Sequence, residues 1–276
     1  MKVTKRLRLA ALQMNSTKFL EDNLERAVKW ISRAAESGAD VVALPENFAF
    51  MGSDEDRARM APGQEEKILG ILKGIAREQN IILLCGSISV TSTETTDSRP
   101  FNTSVLLDRA GNTAGVYHKI HLFDVSLADG VSYRESEYIQ PGDKIVTTCI
   151  ESVTFGMSIC YDLRFPALYR ALARQGAEVV FLPAAFTLDT GKDHWLPLLQ
   201  ARAIENQFYI IAPAQFGRHD GDRRTFGHSA IVDPWGVVLA QSAEKEGLIY
   251  GEFDGEYLDS IRERIPVLQH ERPELY

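Results

Sequence analysis

Residues 7–44 read LRLAALQMNSTKFLEDNLERAVKWISRAAESGADVVAL, and this stretch decides the fold class. Leu7 to Met14 is a short, mainly apolar run that reads as a strand. Leu20, Leu24, Ala27, Val28 and Ile31 then recur at the three- and four-residue spacing that lines one face of a helix. Gly38 ends that helix, since glycine accepts the left-handed conformation that closes one. Asp40 to Leu44 reads as a second strand. Strand, helix and strand in so short a span point to α/β architecture, because parallel strands need a crossover and a helix is the usual one.

The alternation continues outward. A helical pattern near Gln64 to Gln79 leads into the apolar run Ile81 to Val90. Asn102 to Asp108 and Ala114 to His118 flank Ala110-Gly111-Asn112, which is strong turn chemistry. Val153 to Ile159, Ala177 to Leu182, Phe208 to Pro213, Ser229 to Asp233, Val237 to Gln241 and Leu248 to Phe253 read as further strands. Helices are expected from about Pro166 to Gln175 and around His194 to Asn206. Pro234-Trp235-Gly236 reads as a turn between two strands, and Thr91 to Arg99 as a solvated loop. With no repeat, low-complexity tract or linker in view, one domain over residues 1–276 is the expectation.

Charge narrows the partners. Lys and Arg total 30 against 38 Asp and Glu, for a formal net charge of −8. The charges are mixed along the chain, whereas phosphate backbones need clustered cations, so no nucleic-acid partner is expected. Cys85, Cys149 and Cys160 are odd in number and widely spaced, which suits neither a disulfide framework nor a zinc site. A reducing compartment is their natural setting. The opening MKVTKRLRLAALQM superficially resembles a signal peptide, but Arg8 and Gln13 break its apolar stretch and no small-residue cleavage site follows. No run is long enough to cross a bilayer. A cytoplasmic protein without a membrane partner is expected.

Three positions carry candidate chemistry. Cys160 lies in GMSICYDLRFP, between an apolar strand and a helix announced by Pro166. A strand-to-helix turn exposes a side chain over backbone N–H groups, and a helix N-terminus lowers a thiol's pKa. Taken alone, Cys160 reads equally well as a buried structural thiol, the reading that suits Cys85 and Cys149. Glu46, in LPEN, leaves a strand where α/β enzymes place chemistry. Lys119, in YHKIHLFD, follows another strand and could stabilise a thiolate or an oxyanion. In isolation, each of these two reads better as a surface residue.

Together, LPEN, YHKIHLFD and ICYDLRFP resemble the three catalytic segments of the nitrilase superfamily, the carbon–nitrogen hydrolases. The resemblance spans essentially the whole chain and is strongest to the Nit branch, which comprises deaminated-glutathione amidases and ω-amidases. It implies a four-layer αββα sandwich and a homodimer or homotetramer. It also implies Glu46 as base, Lys119 as catalytic lysine and Cys160 as nucleophile. Glu135, in YRESEYIQPGD, aligns with a second glutamate, and Glu137 is read as a neighbour. The implied reaction is hydrolysis of a small carboxylate-bearing amide to acid and ammonia through a thioester, with the Tyr161 backbone N–H helping to hold the oxyanion. AQFGRH resembles the deaminated-glutathione amidases, with ω-amidase action on α-ketoglutaramate as the alternative.

Other residues are weighed from the sequence. Arg218, in GRHDGDRR, reads equally as a ligand for a substrate carboxylate or as a solvated loop residue, with Arg164 and Thr187 as the other binding candidates. Asp162 and Arg164 are expected to shape the nucleophile's turn, and Arg202 and Glu205 to pair structurally. His194 and Trp195 are expected to open a helix. His118 and His121 lack further ligands at metal spacing, so no metal is expected. No phosphate-binding fingerprint appears, so no cofactor is expected either. A catalytically degenerate scaffold would be expected to lack Glu46, Lys119 or Cys160, and all three are present.

Overall fold

Alternate residues of the opening strand face two different cores. Leu9 and Ala11 join one apolar cluster, while Ala10 and Leu12 join the other. The two-residue period of a strand produces this division, and it makes the sheet an inner layer. The computed structural model describes residues 5–91, 97–126, 132–220 and 223–275. The expected loop at Thr91 to Arg99 falls partly on residues 92–96, outside the described set.

In chain order the strands are β1 (Arg6–Gln13), β2 (Val41–Ala43), β3 (Ile82–Leu84), β4 (Ile88–Val90), β5 (Phe101–Leu107) and β6 (Thr113–His118). They continue with β7 (Asp124–Ser126), β8 (Ser132–Arg134), β9 (Thr147–Ile150), β10 (Val153–Met157), β11 (Val179–Phe181) and β12 (Tyr209–Ala212). The last are β13 (Phe216–Arg218), β14 (Arg224–Phe226), β15 (Ala230–Val232), β16 (Val238–Gln241) and β17 (Gly247–Asp254). One sheet runs β17-β1-β2-β3-β5-β4, with β6 also on β5, and the second runs β16-β15-β12-β11-β10-β9. Parallel pairs sit at the centre of each, β1-β2-β3 in one and β10-β11-β12 in the other.

Helices cover the outer faces. Helix α1 (Leu20–Glu36) buries Leu24, Ala27 and Ile31 against the first sheet. After the short α2 (Asp54–Met60), α3 (Gln64–Gln79) buries Leu72 and Ile75 in the same cluster. On the second sheet, α4 (Pro166–Arg174) contributes Leu168, Tyr169 and Leu172, and α5 (Leu188–Asn206) contributes Trp195, Leu199 and Ala203. Between the sheets, Leu9, Val41, Ile82 and Leu106 share a core with Phe155, Met157 and Phe181. The result is the four-layer αββα sandwich.

Two expectations need adjusting, and one helix is additional. The run Ile81 to Val90 is two strands, because Gly86 takes φ +53° and lies so close to Pro45 that an added Cβ would fall 2.1 Å from the Pro45 carbonyl oxygen. That contact clamps the chain next to Glu46. Helix α5 opens at Leu188, not at His194, and Trp195 is wholly buried inside it, donating from Nε1 to the His228 carbonyl at 2.8 Å. Helix α2 has no counterpart in the sequence reading. Its signal was present: Ser53 accepts from the Asp56 N–H as N-cap, with Asp54, Glu55 and Asp56 in the first turn.

Candidate active site

Both central sheets end at one cleft. Glu46 follows β2, Lys119 follows β6, and Cys160 follows β10. Cys160 takes φ 47°, unusual for a residue with a Cβ, at the head of a short 3-10 turn spanning Cys160–Arg164. The turn is held from below by Asp162, which is fully buried. Its carboxylate accepts from the Ile159 N–H at 2.8 Å, the Tyr117 hydroxyl at 2.7 Å and the His121 N–H at 3.1 Å. The structural role expected for Asp162 is therefore anchorage of the Cys160 turn.

The charged core of the site is Lys119 between two carboxylates. Its Nζ donates to Glu46 Oε1 at 3.1 Å and to Glu135 Oε2 at 2.8 Å. Glu46 is 2% exposed, and its second oxygen accepts from the Ala185 N–H at 2.8 Å. Glu135 also accepts from the Phe123 N–H at 2.7 Å. Glu137, two residues on in the same 3-10 turn, is exposed.

Asn102 was not singled out from the sequence. It is 1% exposed and donates from Nδ2 to Glu46 at 3.0 Å and to Glu135 at 3.4 Å, while its carbonyl accepts from the Lys119 N–H at 2.9 Å. One residue on β5 thus spaces all three charges. A buried Asn beginning an apolar strand, FNTSVLL, was the available signal, because a buried amide needs partners.

Burial and charge set the protonation states. Burial would push the Glu135 carboxyl up, but Lys119 and then Arg57 outweigh it and hold Glu135 well below the usual carboxylate range. Burial would pull the Lys119 ammonium down, but Glu135, Glu46 and Cys160 raise it, so it stays charged. For Cys160 the expected lowering does not occur. Burial first and the Glu46 carboxylate second push the thiol well above its ordinary value, against the pull of Lys119. Cys160, Glu46, Lys119 and Ala185 line the same cleft, with the Ala185 N–H donating to Glu46. The raised thiol favours a neutral resting Cys160 beside Glu46 over a preformed thiolate.

The cleft, ≈ 430 Å³ including its open mouth, is walled by Phe123, Tyr133, Tyr161 and Phe186. Arg164 stands on its lining, 5.1 Å from the Phe186 ring centroid and 5.9 Å from that of Tyr161. Thr187 also lines it and pairs with Thr190 at 2.8 Å. Arg218 does not line it. Residues 216–218 pair with 224–226, so Arg218 faces Arg224 on the exposed side, beside a separate surface depression. The two-residue period turns Arg223 and Thr225 the other way, and Arg223 lines the cleft. Sequence alone could not choose among these arginines, because the hairpin register was unknown. Arg57 and Asp54, from α2, complete the lining. Arg202, by contrast, pairs with Glu205 at 3.0 Å and donates to the Leu163 carbonyl, outside the cleft lining. Among the described residues, no group of three or more His, Cys, Asp or Glu is placed to hold a metal.

Cys160, Glu46, Lys119 and Glu135 thus form one buried cluster where strand ends converge. The family model for carbon-nitrogen hydrolases matches residues 8–263, and the chain belongs to that family. It is thereby a hydrolase of carbon–nitrogen bonds in amides. A deaminated glutathione amidase of Synechocystis is 45% identical over 264 residues, covering 95% of this chain and 96% of the relative. The crystal structure of the Caenorhabditis elegans NitFhit protein superposes with a TM-score of 0.92 at 39% identity, covering 99% of this chain and 67% of that one. A Nesterenkonia amidase superposes with a TM-score of 0.82 at 25% identity, covering 100% of this chain and 98% of that one. In that structure the acetamide moiety of fluoroacetamide is covalently added at the active-site cysteine.

Proposed function

We propose that this chain is a cysteine amidase whose substrate is deaminated glutathione, with Cys160 as nucleophile. The observation that carries this reading is the placement of Cys160 in one cleft with buried Glu46, Lys119 and Glu135, the Lys119 Nζ donating to both carboxylates. Glu46 takes the thiol proton as sulfur attacks the amide carbon. Lys119 and the Tyr161 N–H stabilise the oxyanion, each donor contributing roughly a few kcal/mol. Glu46 then protonates the leaving nitrogen, and a thioester remains. A water that gives its proton to Glu46 attacks the thioester, releasing the acid and returning the proton to sulfur. Glu135 keeps Lys119 charged and placed. Neither metal nor cofactor enters these steps.

The substrate assignment draws on the relatives named deaminated glutathione amidase and on the arginines in the cleft. It also corrects the expected product. In glutathione whose amino group has become a keto group, every amide nitrogen carries a peptide carbon, so the leaving group is a peptide amine; ammonia would leave only from a primary amide such as α-ketoglutaramate. The working form is a single-domain cytoplasmic homodimer or homotetramer without nucleic-acid or membrane partners. Among the described residues, no helix is long and apolar enough to cross a membrane.

Keto-acid release from deaminated glutathione and from α-ketoglutaramate, measured side by side with purified protein, tests the assignment. A preference for deaminated glutathione in kcat/KM is expected. A preference for α-ketoglutaramate would transfer the chain to the ω-amidases, and no turnover of either would leave the scaffold reading.

A further inference from the structure

The cleft has more positive charge than its catalytic residues use. Four cations line it, Arg57, Lys119, Arg164 and Arg223, against three carboxylates, Glu46, Asp54 and Glu135. Lys119 is engaged with Glu46 and Glu135. Arg57 and Arg223 converge on a single carboxylate, Asp54, at 3.0 and 3.4 Å, and the other carboxylate near Arg57 is Glu135 at 3.9 Å. The Arg57 side chain is 6% exposed and that of Arg223 is 22% exposed. Each guanidinium also has a buried Nε without a hydrogen-bond partner among the described residues. Two forked donors on one shared acceptor leave capacity for a second acceptor, and leaving buried charged donors underused is costly.

We propose that Arg57 and Arg223, bridged by Asp54, form a subsite for a carboxylate on the acyl part of the substrate. The inference rests on the amidase reading of Cys160. A thioester mechanism keeps the acyl group in the cleft through both steps, while the amine leaves after the first. The arginine pair, buried Arg57 with half-buried Arg223, suits the part that stays. Arg164, stacked on Tyr161 and Phe186 with its Nη1 3.2 Å from His194, suits the part that leaves. A carboxylate between Arg57 and Arg223 also cancels the surplus charge, so the site selects acids over neutral amides of the same size. The ligand class is an amide or thioester of a short dicarboxylic acid, with one carboxyl free and the other acylating sulfur.

Two measurements test this independently. In the first, amides sharing one leaving group but differing in the acyl-side carboxyl, free acid against methyl ester, are compared in wild type and Arg223→Gln. The wild type should prefer the acid, and Arg223→Gln should reduce that preference by about 10- to 100-fold, the scale of a charged hydrogen bond. Arg223→Lys should restore part of it, since the charge returns without the planar fork. In the second, iodoacetamide alkylation of Cys160 is followed by mass spectrometry with and without glutarate, which requires no turnover. Glutarate should protect the wild type, with protection lost in Arg223→Gln. Equal losses on acid and ester, or unchanged protection in Arg223→Gln, would overturn the subsite. Protection without any amide turnover would instead overturn the amidase reading while retaining the subsite.

Discussion

Two buried cysteines sit at strand exits in this protein, and only one is equipped for chemistry. Cys85 follows β3 in the first sheet at 1% exposure, and Cys160 lies just beyond β10 in the second at 8%. Both follow apolar strands, and burial pushes both thiols upward. What differs is the company. Cys85 packs among the apolar residues shared by the first sheet, α1 and α3. Cys160 shares its cleft with Glu46 from beyond β2, Lys119 from beyond β6 and Ala185 from beyond β11. A buried sulfur becomes a candidate nucleophile when other elements deliver a proton acceptor and a cation, so burial by itself predicts inertness.

The largest expected effect tests that difference directly. Cys160→Ala should lower kcat by roughly four orders of magnitude or more, since it removes the covalent step, with circular dichroism unchanged. Intact-mass analysis of wild-type protein during turnover should show an acyl adduct that this variant lacks. Glu46→Gln should also abolish turnover, yet it should make Cys160 easier to ionise. The Glu46 carboxylate is the second cause, after burial, of the raised thiol. Removing its charge should move the midpoint of iodoacetamide alkylation to lower pH, and a midpoint moved upward would contradict the electrostatic account. Asn102→Leu should cut kcat/KM by about 10- to 100-fold, the scale of lost charged hydrogen bonds. The loss should fall on kcat more than on KM, because Asn102 spaces Glu46, Lys119 and Glu135. A purely structural Asn102 would change melting temperature and leave kcat unchanged. The smallest effect belongs to Cys85→Ala: wild-type kcat/KM, with a stability loss of about 1–2 kcal/mol for the vacated volume.

Much of the framework was legible because its signals are local. Helix α1 announced itself through the spacing of Leu20, Leu24, Ala27 and Ile31, and β1 through its apolar run. Glu46, Lys119, Glu135 and Cys160 were named on resemblance, since nothing in their local sequence requires them to meet. The errors have a common cause. Arg218 was read as a carboxylate ligand, yet the β13–β14 pairing sets it on the exposed side and leaves Arg223 on the cleft. The thiol was expected to be acidic because a helix start lies just ahead, yet the burial and the Glu46 charge that raise it come from the assembled fold.

The chain by itself determined the α/β alternation, the parallel strand centres and the turn that carries Cys160. These follow from periodicity and turn chemistry acting over a few residues. Only the tertiary structure decided that Asn102 spaces the charges, that Asp162 ties the Cys160 turn to Tyr117, and that Arg223 reaches Asp54 at the cleft. Those relations join residues 45 to 169 positions apart, from Tyr117 with Asp162 to Asp54 with Arg223. Electrostatic energy depends on distance and burial, and neither exists until the sheets have packed.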